Sequence, residues 1–203
     1  MGDESMRSVV NFIAFQIGWF AAVLGAGHGM PWLGVAVVPL VLLVNLILSK
    51  DWRQELAVAL AAAVMGFVVD TGLVIAGVFA PVPFLWPRPF SPLWMVMLWV
   101  NQATTLNSCM AWLRGRYLAG ALFGAIGGPL AYLSGAKLGA ASLPSTDGLV
   151  ILGITWAVAF PALLAVAELV RRRLAVSEAS SERDSGPPAI PRHPGIPRVR
   201  RRP

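Results

Sequence analysis

The chain has 203 residues and a mass of 21.6 kDa, and 57% of its side chains are hydrophobic while only 13% are charged. A soluble domain has about 45–50% apolar residues with glycine included and about 25% charged residues, so this composition argues against a soluble globular enzyme and predicts a small integral membrane protein. One cysteine, Cys109, excludes an internal disulfide and a thiolate metal cluster, and two histidines leave no histidine-based metal site, so we expect neither a metal nor a cofactor.

Six apolar stretches follow one another along the chain, and each is near the ~20 residues that a bilayer-crossing helix needs. Most of the connections are short, which makes consecutive helices antiparallel neighbours. We predict an all-α, polytopic membrane helix bundle of six transmembrane helices in residues 9–173, with a short cytoplasmic segment before it. Residues 174–203 form a Pro- and Arg-rich stretch, which we expect to be a disordered cytoplasmic tail. The six stretches are residues 9–27, 31–49, 55–79, 91–113, 117–138 and 148–170.

The basic residues beside the apolar stretches predict the orientation of the bundle. Eight of them fall on one side of a six-helix arrangement, whereas Arg88 and Lys137 fall on the other. Basic residues accumulate on the cytoplasmic side, so both termini are predicted to be cytoplasmic. The net charge of +6 is explained in the same way, and we expect no nucleic-acid partner. The eight residues are Arg7, Lys50, Arg53, Arg114, Arg116, Arg171, Arg172 and Arg173.

Asp70 is the most informative residue about function, because it is an acid deep within the third apolar stretch. It lies ~22 Å along the helix axis from Glu55 at about 1.5 Å per residue. A charged side chain at such a depth costs at least ~2.5–3.5 kcal/mol on insertion scales. Two interpretations stay open: a site for a proton or a substrate, and a structural hydrogen bond to a neighbouring helix.

The fourth stretch is the most polar. At about 100° per residue, one narrow helix face holds Asn101, Thr104, Thr105 and Ser108, whereas Gln102 and Asn107 point to other sides. A helix that is polar all round cannot face lipid broadly, so we expect it to lie centrally in the bundle. Its amides either hold helices together or form a pocket for a headgroup or a small polar substrate.

Depth along the helices groups the remaining amides. Asn11, Gln16, Asn45 and Asn107 fall at similar depths on the cytoplasmic side, so an inner-leaflet cluster is allowed. A second group near or beyond the midplane comprises Asp70, Asn101 and Thr155. The candidate intramembrane polar site consists of Asp70, Asn107, Gln16, Asn101, Thr104 and Asn11.

Glycines recur in the fifth stretch at four-residue spacing. Gly120, Gly124 and Gly128 predict a helix-packing seam, because small residues at this spacing let two helix backbones approach closely. The alternative is a hinge or a broken-helix binding point near Pro129.

Three segments resemble a known family. They are residues 11–20 in the first stretch, 104–115 in the fourth and 124–132 in the fifth. They are similar to the uncharacterised bacterial membrane protein family catalogued as domain of unknown function 2878, and the resemblance covers residues 9–173. It implies a multi-pass inner-membrane protein of proteobacteria without an established activity, and it gives weak support to a connection with lipids.

Three functions fit these observations. The preferred one is a binding or transport module for a small or lipid-like molecule, with a pocket around Asn107, Gln16 and Asp70. The second is an accessory membrane subunit that uses the glycine seams to hold a membrane-protein partner or a second copy. The third is a lipid-acting enzyme. All three place the protein in a lipid bilayer.

Overall fold

The computed structural model describes residues 2–143 and 145–184, and within these ranges the chain forms an all-helical bundle. Two strands of two residues each, β1 (Ala80–Pro81) and β2 (Ala141–Ser142), pair antiparallel at one end. The predicted all-α fold is confirmed. The helices are α1 (Gly2–Gly27), α2 (Trp32–Leu48), α3 (Trp52–Ile75), α4 (Leu93–Ala103), α5 (Tyr117–Lys137) and α6 (Asp147–Asp184).

Four of these helices are long and apolar enough to cross a membrane. Helix α2 is apolar but has only 17 residues, and α4 has 11. Large apolar side chains on the outer helix faces are exposed, among them Ile17, Val64 and Ile126. A water-soluble protein rarely exposes so much contiguous apolar surface, whereas a lipid bilayer would cover it. The four spans are Ser5–Gly27, Trp52–Ile75, Tyr117–Lys137 and Asp147–Ser177.

The fourth apolar stretch differs from the single helix predicted over residues 91–113. Helix α4 ends at Ala103, residues 104–110 form turns, and one 3₁₀ turn follows at Ala111–Leu113. The hydroxyls of Thr104 and Thr105 donate to the carbonyls of Asn101 and Gln102, both at 2.7 Å. Side chains that bond to the backbone in this way compete with a regular helix, so the predicted polar face is not helical along its whole length.

Helix α4 packs against α1, α2 and α3, and most of its side chains are buried, including Trp94 and Trp99. Helix α5 packs along α6 instead. Helix α6 continues beyond residue 173 to Asp184, since the Arg, Ala, Leu and Glu residues there are good helix formers. The rest of the predicted tail, residues 185–203, lies outside the described residues.

A candidate binding cavity

A cavity of about 370 Å³ lies between α1 and α5, with α4 behind it. Helices α1 and α5 meet near their C-terminal ends, where a Cβ atom on Gly27 would overlap the carbonyl oxygen of Leu138. Towards their N-terminal ends the cavity separates them. Phe12 of α1 and Phe123 of α5 line the cavity and are exposed by 51% and 40%. The cavity therefore opens sideways, through the gap between these two helices.

Aromatic residues and small residues make up most of the cavity wall. Helix α5 contributes Gly124, Gly127, Gly128, Ala131 and Gly135. These residues carry one carbon or none beyond the backbone, and at Gly127 a Cβ atom would meet only the ring of Phe123, at 3.8 Å. The aromatic residues are Phe12, Phe15, Trp19, Trp94, Trp99, Phe123, Tyr132, Trp156 and Phe160.

Asp70 lies at the base of the cavity but is not open to it, because its exposed fraction is 0%. The indole N–H of Trp99 donates to one carboxyl oxygen at 2.9 Å, and the hydroxyl of Tyr132 donates to the other at 2.6 Å. The carboxyl group thereby connects α3 to α4 and α5. Both oxygens accept a hydrogen bond, so the contacts of Asp70 with the cavity wall are those with Trp99 and Tyr132.

The rings around Asp70 pack against one another. Trp99 stacks on Trp156 of α6, with ring centroids 4.7 Å apart and an interplanar angle of 20°. Phe79 meets the ring of Tyr132 edge-on at 4.9 Å. Edge-to-face and offset-stacked pairs of this kind stabilise a core beyond their burial alone. The base of the cavity is therefore a fixed aromatic surface rather than a set of loosely packed side chains.

Two carboxamides are among the polar groups that line the cavity. Gln16 of α1 and Gln102 of α4 are both half-buried and both line it. Gln102 donates from Nε2 to the hydroxyl of Thr105 at 3.0 Å and to the sulfur of Met110 at 3.3 Å. The side chain of Gln16 has no hydrogen-bond partner among the described residues.

The other predicted site residues lie behind the cavity or away from it. Asn101 is fully buried and donates from Nδ2 to the carbonyl of Phe15 at 2.9 Å, which joins α4 to α1. Thr104 bonds back to the carbonyl of Asn101. Asn107 lies outside the cavity, where Arg114 donates to its Oδ1 at 3.3 Å. Of the three residues of the expected pocket, Gln16 and Asp70 line one cavity and Asn107 does not.

The inner-leaflet cluster of amides forms in part. Asn11 donates to Oδ1 of Asn45 at 3.1 Å and to the carbonyl of Thr104 at 2.9 Å. Asn45 in turn donates to Glu55 at 3.1 Å, and Glu55 is only 4% exposed. Gln16 is not part of this cluster, because it faces the cavity. The sequence analysis did not include Glu55 in the candidate site, because it lies at the polar start of the third apolar stretch. Its closeness to the buried amides could have indicated its place in this cluster.

The predicted glycine seam faces α6 of the same chain. A Cβ atom on Gly124 would overlap the carbonyl oxygen of Trp156, and one on Gly128 would overlap the ring of Trp156. One on Gly120 would lie 2.7 Å from Leu164. The three glycines therefore allow α5 and α6 to approach closely. The accessory-subunit interpretation would need another surface, because this one is already covered.

Sequence reasoning also missed Tyr132, Trp156 and Gly127 as parts of the site. Tyr132 is one of only two tyrosines in the chain, and it lies within an apolar stretch. A tyrosine hydroxyl in such a place needs a partner, and Asp70 was the obvious acid. Trp156 and Gly127 offered no such signal, because their role depends on which way each helix faces.

A family model matches residues 8–162 of the chain, which is most of the described region. The chain belongs to this family. The family is described as "Protein of unknown function (DUF2878)", so the predicted resemblance is confirmed. No curated protein and no solved structure matches the chain. The residues that line the cavity, from Phe12 to Phe160, all fall within the part of the chain that matches the DUF2878 model.

Proposed function

We propose that this protein is a membrane-embedded binding module that takes an apolar or amphiphilic molecule from the bilayer into the cavity between α1 and α5. The cavity itself carries the proposal. Binding sites for small molecules measure about 300–1,000 Å³ and are lined mostly by hydrophobic and aromatic side chains with a few polar groups. A cavity of about 370 Å³ with nine aromatic residues and two accessible carboxamides fits this description.

The position of the opening supports the bilayer as the source of the ligand. Phe12 of α1 and Phe123 of α5 line the cavity, and both are exposed on the outside of the bundle. A soluble substrate would have to cross this apolar surface, whereas a lipid-like molecule already dissolved in the membrane would reach the gap by lateral diffusion. In this arrangement Asp70 positions Trp99 and Tyr132 at the base of the cavity and does not touch the ligand.

We also infer that the chain crosses the inner membrane of a bacterium six times, with α4 and the turns that follow it to Leu113 making the fourth crossing, and that both termini lie in the cytoplasm. The hydrogen bonds Asn11–Asn45–Glu55 bring together the N-terminal part of α1, the C-terminal part of α2 and the start of α3. The basic residues Arg7, Lys50 and Arg53 belong to this end, which the positive-inside rule assigns to the cytoplasm.

Reporter fusions test this topology. Fusions after Arg53, Arg114 and Arg173 should be cytoplasmic, and fusions near Arg88 and Lys137 should be periplasmic. A periplasmic reporter after Arg114 would contradict six crossings.

Two matched glycine substitutions test the binding function. Gly127 lines the cavity, and a Cβ atom there would meet only the ring of Phe123 at 3.8 Å, so a phenylalanine at 127 would extend into the cavity without a backbone clash. Gly72 of α3 is exposed, and a Cβ atom there would have no neighbour within 4 Å. Purified protein would be loaded with excess tetradecanol, and native mass spectrometry would count the molecules bound.

We expect the parent chain and Gly72→Phe to hold the probe and Gly127→Phe to lose it. Thermal unfolding of both variants would show that they are folded. Equal occupancy in the two glycine variants, or no saturable binding to the parent chain, would contradict the proposed function.

A further inference from the structure

We propose that the molecule in this cavity carries an uncharged hydroxyl group, which Gln16 and Gln102 bind together. This inference rests on the proposed binding function and adds the chemistry of the ligand's polar end. Two observations support it. Each carboxamide has a donor or an acceptor without a hydrogen-bond partner among the described residues, and no basic side chain lines this part of the cavity.

The two glutamines lie at the same level on neighbouring helices. Asn101 donates to the carbonyl of Phe15 at 2.9 Å, which fixes α4 against α1 at that level. Gln16 and Gln102 are the next residues along each chain segment. Gly18 makes this close approach feasible, because a Cβ atom there would overlap the side chain of Asn101. Both carboxamides therefore reach the cavity from a single, well-anchored helix contact.

The partners of Gln102 fix the orientation of its amide. The hydroxyl of Thr105 donates its own proton to the carbonyl of Gln102 at 2.7 Å, so towards the Gln102 side chain it acts as an acceptor. The thioether sulfur of Met110 is an acceptor only. The group of Gln102 that faces these two acceptors is thus the NH₂ group, and its Oε1 atom is left as an acceptor for the cavity.

Gln16 supplies the complementary group. Its side chain has no partner within the described ranges, so its NH₂ group is available as a donor. A hydroxyl group donates one hydrogen bond and accepts others, so it can donate to Gln102 and accept from Gln16 at the same time. An ether or a ketone can use only the donor of Gln16, and a hydrocarbon can use neither.

The surroundings disfavour an anionic polar end. No lysine or arginine belongs to the described residues that line the cavity. Its only acid, Asp70, is fully buried, and both of its oxygens accept hydrogen bonds from Trp99 and Tyr132. A negative charge placed among these aromatic side chains would have no counter-charge, and burying an unpaired charge is strongly unfavourable. The ligand class is therefore a neutral lipid alcohol rather than a phospholipid or a fatty acid anion.

A competition between three probes of equal chain length tests this inference. Tetradecanol, tetradecyl methyl ether and tetradecane would be mixed in equal amounts with the full chain in detergent, and native mass spectrometry would give the bound ratio. We expect the alcohol to exceed each of the other two by roughly three- to tenfold, the ratio that one net hydrogen bond produces.

Two glutamine variants test whether Gln16 is responsible for the preference for the alcohol over the ether and the alkane. Gln16→Leu should remove most of it without loss of thermal stability, because the side chain has no partner in the described chain. The matched control is Gln54→Leu, which replaces a half-buried glutamine outside the cavity and should leave the preference unchanged.

The outcomes separate this inference from the proposed function. Equal binding of the three probes, all lost in Gly127→Phe, would overturn the hydroxyl assignment and leave the binding function intact. A preference for the alcohol that survives Gln16→Leu would overturn the assignment to this residue pair. Binding that does not respond to Gly127→Phe at all would overturn both.

Discussion

Replacement of Asp70 by leucine should destabilise the bundle far more than replacement by asparagine. Leucine removes the acceptor for two buried donors, the indole N–H of Trp99 and the hydroxyl of Tyr132. An unsatisfied buried donor costs about 1–3 kcal/mol, but interhelical hydrogen bonds in membrane proteins average nearer 0.6–1 kcal/mol. We therefore expect Asp70→Leu to lower the free energy of unfolding by about 2–4 kcal/mol, between these two bounds.

Asparagine keeps one acceptor, and the geometry indicates which bond survives. Trp99 can only donate, so the amide oxygen must face its N–H. The amide NH₂ then faces the oxygen of Tyr132, which can accept, and only the hydroxyl proton of Tyr132 loses its partner. The expected cost of Asp70→Asn is about one hydrogen bond, near 1 kcal/mol.

A double-mutant cycle with Tyr132→Phe isolates the shared bond. If loss of the Asp70–Tyr132 hydrogen bond accounts for part of the destabilisation, Asp70→Asn should lower the free energy of unfolding by less in the Tyr132→Phe background than in the parent chain. Neighbouring residues in one network typically couple by about 0.5–3 kcal/mol. The measurement is thermal or denaturant unfolding in detergent, beside tetradecanol binding on the same samples.

Two results would refute this account of Asp70. Equal stability of Asp70→Leu and the parent chain would show that the two hydrogen bonds contribute nothing. A well-folded Asp70→Asn variant that fails to bind the probe would show that the carboxyl group acts on the ligand directly, against the positioning role that its burial indicates.

Two further substitutions test helix contacts by unfolding in detergent. Gly124→Ala should cost about 1–3 kcal/mol by overpacking against α6. Gly127→Ala on the same helix should instead stabilise the protein by up to about 1 kcal/mol, because the added Cβ has room and alanine is the better helix former. Equal losses would remove the special role of the seam. Asn11→Ala should cost about 1–3 kcal/mol because the carbonyl of Thr104 loses its donor. Gln54→Ala, its control, should change little, and an Asn11→Ala variant as stable as the parent would contradict this role of the Asn11 side chain.

The long helices were predictable because a membrane leaves the backbone few choices. In hydrocarbon each spanning segment must satisfy its own N–H and C=O groups, so a contiguous apolar stretch of sufficient length predicts a helix directly. The break after Ala103 was not predictable in this way. At this break the side chain of Asn11, 93 residues away along the chain, donates to the carbonyl of Thr104. Hydropathy within one stretch contains no information about such a partner.

Depth along a helix predicted some of the site and failed for the rest. Asn11 and Asn45 have similar depths and also face each other, so they form the expected hydrogen bond. Gln16 has a suitable depth as well, but it lies on the side of α1 that faces the cavity. Depth is one coordinate of a side chain, and the rotation of the helix is the other. Rotation also placed Trp99 and Tyr132 against Asp70, and no spacing in the sequence indicated that pair.

Helix α5 shows how the same residue type serves two purposes on adjacent faces. Gly124 and Gly128 are needed for packing, because any side chain there would collide with Trp156. Gly127 has no such requirement, since the nearest atom to an added Cβ is 3.8 Å away. A glycine within a helix costs about 1 kcal/mol relative to alanine, and at position 127 no packing contact offsets that cost. The space that Gly127 leaves open belongs to the cavity, so under the proposed binding function a ligand there would supply the contacts that the helix lacks.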